Sequence, residues 1–137
     1  MSWSVLVVDD EPITRNMLRM ILSYAGHTVY EAEDGFDALE KIDNLTLDLV
    51  LLDVMMPNMD GIDVCRVVRQ TKTSESLPII MLSARTHLAD VEVAMAAGAN
   101  RYLTKPISRK ILLEEIDDLM DKTAVFHSNN DRQNVTD

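Results

Sequence analysis

Five side chains have the types and placement to handle a phosphoryl group: Asp9, Asp10, Asp53, Ser83 and Lys105. Each lies at or just past the end of a short apolar run. Val5-Leu-Val-Val8 runs into Asp9-Asp10, Leu49-Val-Leu-Leu52 into Asp53, and Ile79-Ile-Met-Leu82 into Ser83, while Arg101-Tyr-Leu103 is followed closely by Lys105. Taken singly, each has a plainer reading, as a helix cap, a turn residue, a loop hydroxyl or a solvated lysine. Taken together, they would place three carboxylates, one hydroxyl and one ammonium on one rim. Two carboxylates about 5 Å apart repel by roughly 3 kcal/mol at an effective dielectric of 20, so three of them need a proton or a cation. Three negative charges and the one positive charge of Lys105 leave −2, which a single divalent ion neutralises. Oxygen donors with no His or Cys among them favour Mg²⁺, with Mn²⁺ as the alternative. A metal beside carboxylates, with a lysine and a hydroxyl opposite, suits a phosphoryl group, one carboxylate being the nucleophile.

The elements that must position these groups alternate. The three continuous apolar runs read as strands covered on both faces, and the more polar Thr28–Ala32 and Arg101–Leu103 as strands nearer the sheet edges. Between them, Ile13, Met17, Met20, Ile21 and Tyr24 form one broad apolar helical face. Leu88, Val91 and Met95 repeat the pattern, as do Leu112, Ile116 and Leu119, and core packing is the expected role of each. Phe36, Leu39 and Ile42 mark one shorter helix; Ile62, Cys65 and Val68 mark another. Pro12 suits the first turn of the first helix, and Gly26 and Gly98 stand just past the ends of the first and fourth. Strand and helix thus alternate five times, which predicts an α/β fold, a single doubly wound parallel sheet with helices on both faces. In such a sheet ligands bind outside the carboxyl ends of the strands. The pattern ends near residue 122, so residues 1–122 are expected to form the domain and 123–137 a polar, flexible tail.

Composition narrows the setting. The 137 residues are 47% hydrophobic and 26% charged, the balance of one globular domain. Thirteen basic against 23 acidic residues give −10, which argues against binding nucleic acid or anionic membrane through the overall field. The one cysteine, Cys65, excludes an internal disulfide and points to a reducing, cytoplasmic setting. Asp9 to Glu11 come too early for a signal peptide, and no apolar run approaches the roughly 20 residues of a membrane span. His27, His87 and His127 are scattered and suggest no internal phosphodonor.

Four motifs in order then carry a family resemblance: Val-Leu-Val-Val-Asp9-Asp10-Glu11, Leu51-Leu-Asp53-Val-Met-Met-Pro57-Asn-Met-Asp60-Gly61, Ser83-Ala84 and Tyr102-Leu-Thr-Lys105-Pro106. From residue 4 to about 122 the sequence resembles the CheY-like receiver domain of two-component response regulators. The resemblance implies a flavodoxin-like sheet of order 2-1-3-4-5 with five helices. It implies that Asp53 takes a phosphoryl group from the phosphohistidine of a sensor histidine kinase or phosphotransfer protein. Asp10, Asp53 and the backbone carbonyl of Met55 would bind Mg²⁺, with Asp9 acting directly or through water. Lys105 and Ser83 would meet phosphoryl oxygens, Ala84 would leave access, and Ser83 and Tyr102 would form the switch. The Lys105-Pro106 peptide is expected to be cis. The face of the fourth helix, fifth strand and fifth helix would signal to a downstream target or a phosphorylation-dependent homodimer. Such a protein is a switch and not an enzyme, beyond Mg²⁺-assisted self-phosphorylation from a donor and slow autodephosphorylation.

Three rivals share parts of this pattern. A haloacid-dehalogenase-like phosphatase would put its nucleophile after the first strand in an Asp-x-Asp pattern, where this chain has Asp9-Asp10-Glu11. A flavodoxin-like electron carrier would need a Ser/Thr/Gly-rich phosphate loop where Asp9-Asp10-Glu11-Pro12 stands. A receiver-like interaction scaffold that is not phosphorylated would not need the full acceptor set, which is present. With only 15 residues past the fold, no output domain is expected in the sequence, which suits either a stand-alone receiver or part of a longer protein.

Overall fold

The computed structural model describes residues 2–135, with side chains described as far as Thr123. The elements are β1 (Ser4–Val8), α1 (Pro12–Tyr24), β2 (Thr28–Ala32), α2 (Gly35–Asn44), β3 (Leu49–Asp53), α3 (Gly61–Val68), β4 (Ile79–Ser83), α4 (Leu88–Ala96), β5 (Arg101–Thr104) and α5 (Arg109–Val135). All pairings are parallel and the order is β2-β1-β3-β4-β5, with the two more polar strands at the edges as expected. β3 and β4 are buried at every position, which is why their sequences read as unbroken apolar runs. Strand side chains alternate between two cores. Leu6, Val8, Val50, Leu52, Ile79 and Met81 pack with α2, α3 and α4 on one face. Val5, Val7, Leu49, Leu51, Ile80 and Leu82 pack with α1 and α5 on the other. The register Val8↔Leu52, Asp53↔Leu82 and Ser83↔Thr104 brings the ends of β1, β3, β4 and β5 level at one rim.

Local chemistry fixes the helix ends. Asp34 and Asp60 cap α2 and α3, each accepting the backbone N–H three residues on, at 2.7 and 2.9 Å. Pro12 opens α1. Cys65 is fully buried. The Lys105-Pro106 peptide is cis.

Three expectations about the helices need correction. The apolar face of α1 points outward: Ile13 is 86% and Tyr24 80% exposed, Met17 and Met20 are exposed too, and the buried residues are Leu18 and Leu22. Together with Asn16, Ile21 and Arg109, these exposed side chains line an open groove of about 640 Å³. In α4 only Ala94 is buried, whereas Leu88 and Met95 are exposed and Val91 is half-buried, so the expected core role does not hold for them. Helical spacing identifies a stripe, but the direction it faces is set by the sheet. Finally, the helical backbone does not end near 122. It continues to Val135, because no Gly or Pro follows Pro106 to stop it. Residues 136 and 137 of the expected tail lie outside the described residues.

Candidate functional site

The rim brings together all five residues singled out above. Asp9 follows β1 and is fully buried, Asp53 closes β3 at 3% exposure, and Asp10 is exposed. One carboxylate oxygen from each of the three lies within 4.8 Å of the others. Lys105 reaches across from the β5–α5 loop, its Nζ 3.0 Å from Asp9 Oδ2 and 3.1 Å from Asp53 Oδ1. Asp9 is not an N-cap of α1. Its Oδ1 accepts the Glu11 N–H at 2.9 Å, and the capping position itself belongs to Glu11, which makes no side-chain cap bond.

The close approach of these groups depends on Gly61. A Cβ at Gly61 would lie 2.4 Å from the backbone oxygen of Asp53, and the Gly61 N–H donates to Val54 O at 2.9 Å. The β3–α3 loop therefore folds tightly under Asp53, and any larger residue would push it away. On the other side, Val54, Met55, Met56, Asp60 and Arg85 line an open cleft of about 340 Å³.

Crowding shows in the protonation equilibria. Burial, then the charge of Asp9, raises the pKa of Asp53 to about 6, against the opposing pull of Lys105 and the Met55 N–H. Burial also disfavours the ammonium of Lys105, but its bonds and charge contacts with Asp9 and Asp53 outweigh that and raise its pKa. One cation thus serves two buried carboxylates, with a third carboxylate beside them. The residual charge of −2, the all-oxygen donor set and the spacing within 4.8 Å fit a hard divalent cation.

Ser83 is fully buried at the end of β4, and its Oγ accepts the Arg85 N–H at 3.1 Å. Tyr102, half-buried on β5, donates its hydroxyl to the backbone oxygen of Arg85 at 2.8 Å. The peptide units flanking Arg85 are therefore held from both sides, by the hydroxyls of Ser83 and Tyr102. Ala84 and Met55 are both exposed. The sequence reading missed Arg15. Its guanidinium donates to the backbone oxygen of Asp9 at 2.7 Å from α1, and the signal for it was a basic residue one turn into that helix.

The fold, with acidic groups at the carboxyl ends of β1 and β3 and a lysine after β5, defines a class of doubly wound α/β domain with a charged rim at the carboxyl ends of its strands. Comparison with known proteins places the chain within that class. Residues 5–117 match the response regulator receiver domain family. The response regulator MprA of Mycobacterium ulcerans (strain Agy99) is 43% identical over 125 residues, 91% of this chain and 53% of that protein. MprA of Mycobacterium sp. (strain KMS) is 42% identical over 120 residues, 88% of this chain and 51% of that protein. The chain thus spans about half the length of these curated relatives. Among solved structures, the CheY-like receiver domain protein from Methanospirillum hungatei JF-1 superposes with a TM-score of 0.84 at 27% identity, covering 90% of this chain and 98% of that one. The chemotaxis protein CheY4 of Vibrio cholerae gives 0.81 at 33% identity, covering 87% and 99%. The chain belongs to the response regulator receiver domain family, a signalling switch of two-component systems whose members interact with histidine kinases. The hydrolase reading and the non-phosphorylated scaffold reading are not favoured. Among the described residues, no helix is long and apolar enough to cross a membrane.

Proposed function

We propose that Asp53 accepts a phosphoryl group from the phosphohistidine of a sensor histidine kinase or histidine phosphotransfer protein. The observation that carries this is the convergence of Asp9, Asp10 and Lys105 on one buried carboxylate. An oxygen of Asp53 attacks phosphorus and the phosphorus–nitrogen bond breaks. Its electron pair stays on the imidazole, which takes up a proton. Lys105, already 3.1 Å from Asp53, turns one N–H bond to a phosphoryl oxygen while holding Asp9. Asp9, Asp10, Asp53 and the carbonyl of Met55 hold Mg²⁺, with Mn²⁺ as a substitute. Bound there, the ion offsets the charge of the phosphoryl oxygens.

The new group brings about two negative charges and three acceptor oxygens. Ser83 then exchanges its present role as acceptor for the Arg85 N–H for donation to a phosphoryl oxygen. That frees the Arg85 backbone, and with it the carbonyl that holds Tyr102. The α4–β5–α5 face carries the change outward, to a downstream target or to a second copy of the chain. Its exposed Leu88, Met95 and Ile111 offer apolar surface for either. The switch occupies residues 1–122 and works in the cytoplasm. Ala84 keeps the entrance open for the donor.

Incubation with a phosphorylated histidine kinase and Mg²⁺ tests the reading. Label is expected on the wild-type chain, sensitive to acid and base and absent from Asp53→Asn. Equal labelling of Asp53→Asn would remove Asp53 from its role, and many turnovers of free phosphate release would favour a phosphatase instead.

A further inference from the structure

Asp9 has a partner at each of its polar atoms. Its N–H donates to Ala32 O at 3.2 Å, and its carboxylate takes the Glu11 N–H at 2.9 Å and Lys105 Nζ at 3.0 Å. Its backbone oxygen accepts Nη1 of Arg15 at 2.7 Å. Asp10 is different. It is exposed, and among the described residues its carboxylate makes no hydrogen bond or ion pair that would orient it. What fixes Asp10 is its backbone, and the Asp9 carbonyl shares one rigid peptide plane with the Asp10 nitrogen. The group that holds that oxygen therefore sets the direction in which Asp10 leaves the strand.

Arg15 is itself held. Its side chain is 17% exposed, and its Nε lies 3.3 Å from Glu31 Oε1 on the neighbouring strand β2. The other oxygen of Glu31 faces Arg19 at 3.8 Å. A planar guanidinium anchored on one edge by a carboxylate presents its remaining N–H bonds in a fixed direction, which a lysine ammonium would not do.

We propose that Arg15 is a positioning residue of the divalent-cation site, holding the Asp9–Asp10 peptide so that the Asp10 carboxylate stays beside those of Asp9 and Asp53. The inference rests on the Mg²⁺ reading given above and extends it to a residue that touches neither ion nor phosphoryl group. It also makes a prediction of sign. If Arg15 acted only through its charge, removing it would leave the site more negative and tighten Mg²⁺ binding. A positioning role requires the opposite.

Calorimetric titration of the full chain with Mg²⁺ at mildly alkaline pH separates the two. Arg15→Met is expected to bind Mg²⁺ about 10-fold more weakly than wild type, as loss of an outer partner of metal ligands does. Its phosphorylation rate at saturating Mg²⁺ should stay close to wild type. Unchanged or tighter binding overturns the proposal. Thermal unfolding in EDTA checks that the variant folds. If it does not, Arg15→Lys, which keeps the charge but loses the planar fork, decides between the two roles. Binding weaker by a few-fold supports positioning, and wild-type binding overturns it. A wild-type chain that binds no Mg²⁺ overturns both this inference and the metal reading. One that binds Mg²⁺ but takes no phosphoryl group overturns only the proposed function, and Arg15 is still judged by the binding data.

Discussion

Lys105 and Arg69 are partly buried cations at opposite ends of the same sheet, and their surroundings differ in kind. Lys105 stands at the carboxyl ends of the strands between two carboxylates, with a third beside them. Arg69, following α3, stands at the amino ends of β4 and β5 with neutral acceptors. It donates to Gly98 O at 2.9 Å, Leu77 O at 2.8 Å, Thr73 O at 3.1 Å, Lys72 O at 3.4 Å and Asn100 Oδ1 at 3.1 Å. Asn100 completes that network, accepting the Ile79 N–H at 3.0 Å and donating to Ser74 O at 3.0 Å. Gly98 fits the same place twice over, with φ of 111° and no room for a Cβ, which would meet Arg69 Cγ at 2.6 Å.

The contrast shows how the fold divides its labour. At the Arg69 end the guanidinium and the carbonyls around it complement one another, and the result is rigidity. At the Lys105 end the anions outnumber the cation, so the site is short of positive charge and is stabilised by whatever supplies it. Unmet electrostatics at the functional rim and satisfied polar networks elsewhere are what a switch requires.

The largest expected effect is at the satisfied end. Arg69→Met should lose about 3 kcal/mol of stability in urea unfolding, because several acceptors are left without a donor. Mg²⁺ affinity should hardly change. A loss under about 1 kcal/mol would mean that the carbonyl cage is no keystone. At the other end, the sign should reverse. Asp53 has a pKa raised to about 6 from 3.8, so the folded chain holds its proton more tightly than the unfolded chain does. Stability contributed by the protonated form is full below the unfolded value, falls as pH rises between the two, and is gone above about 6. Asp53→Asn should therefore stabilise the metal-free protein in EDTA above neutral pH, by about 1–2 kcal/mol after allowance for solvent screening at the open rim. The gain should fade on acidification below the unfolded-state value. A variant no more stable than wild type at alkaline pH would mean that the rim is not crowded.

These two ends were not equally legible in the sequence. Asp9, Asp10, Asp53, Ser83 and Lys105 could be placed at one rim because each follows an apolar run, and a parallel sheet aligns the ends of such runs. The buried strands could be read for the same reason. Arg69 could not, since a basic residue after a short helix looks like any solvated arginine until the β4 and β5 approaches fold around it. Arg15 was hidden similarly, its partners being a backbone oxygen and a glutamate on another strand. Nor could periodicity reveal that Ile13, Met17, Met20 and Tyr24 face outward while Leu18 and Leu22 face the sheet, because both sets lie on helical spacings.

The smallest expected effect lies between the ends, at the link from the rim to the outer face. Tyr102→Phe removes the bond to Arg85 O and should cost under about 1 kcal/mol, since the ring still packs on the core. The phosphorylation rate should be retained, whereas the response of the α4–β5–α5 face to phosphorylation, followed by amide hydrogen exchange, should weaken. An undiminished exchange response would take Tyr102 out of the switch.

Intact-mass spectrometry after treatment with acetyl phosphate shows whether Asp53 takes up a phosphoryl group and whether Mg²⁺ is needed. One phosphoryl adduct is expected on the wild-type chain with Mg²⁺, and none when EDTA replaces Mg²⁺ or when Asp53 is replaced by Asn. An adduct of equal yield without Mg²⁺, or on Asp53→Asn, would contradict the account.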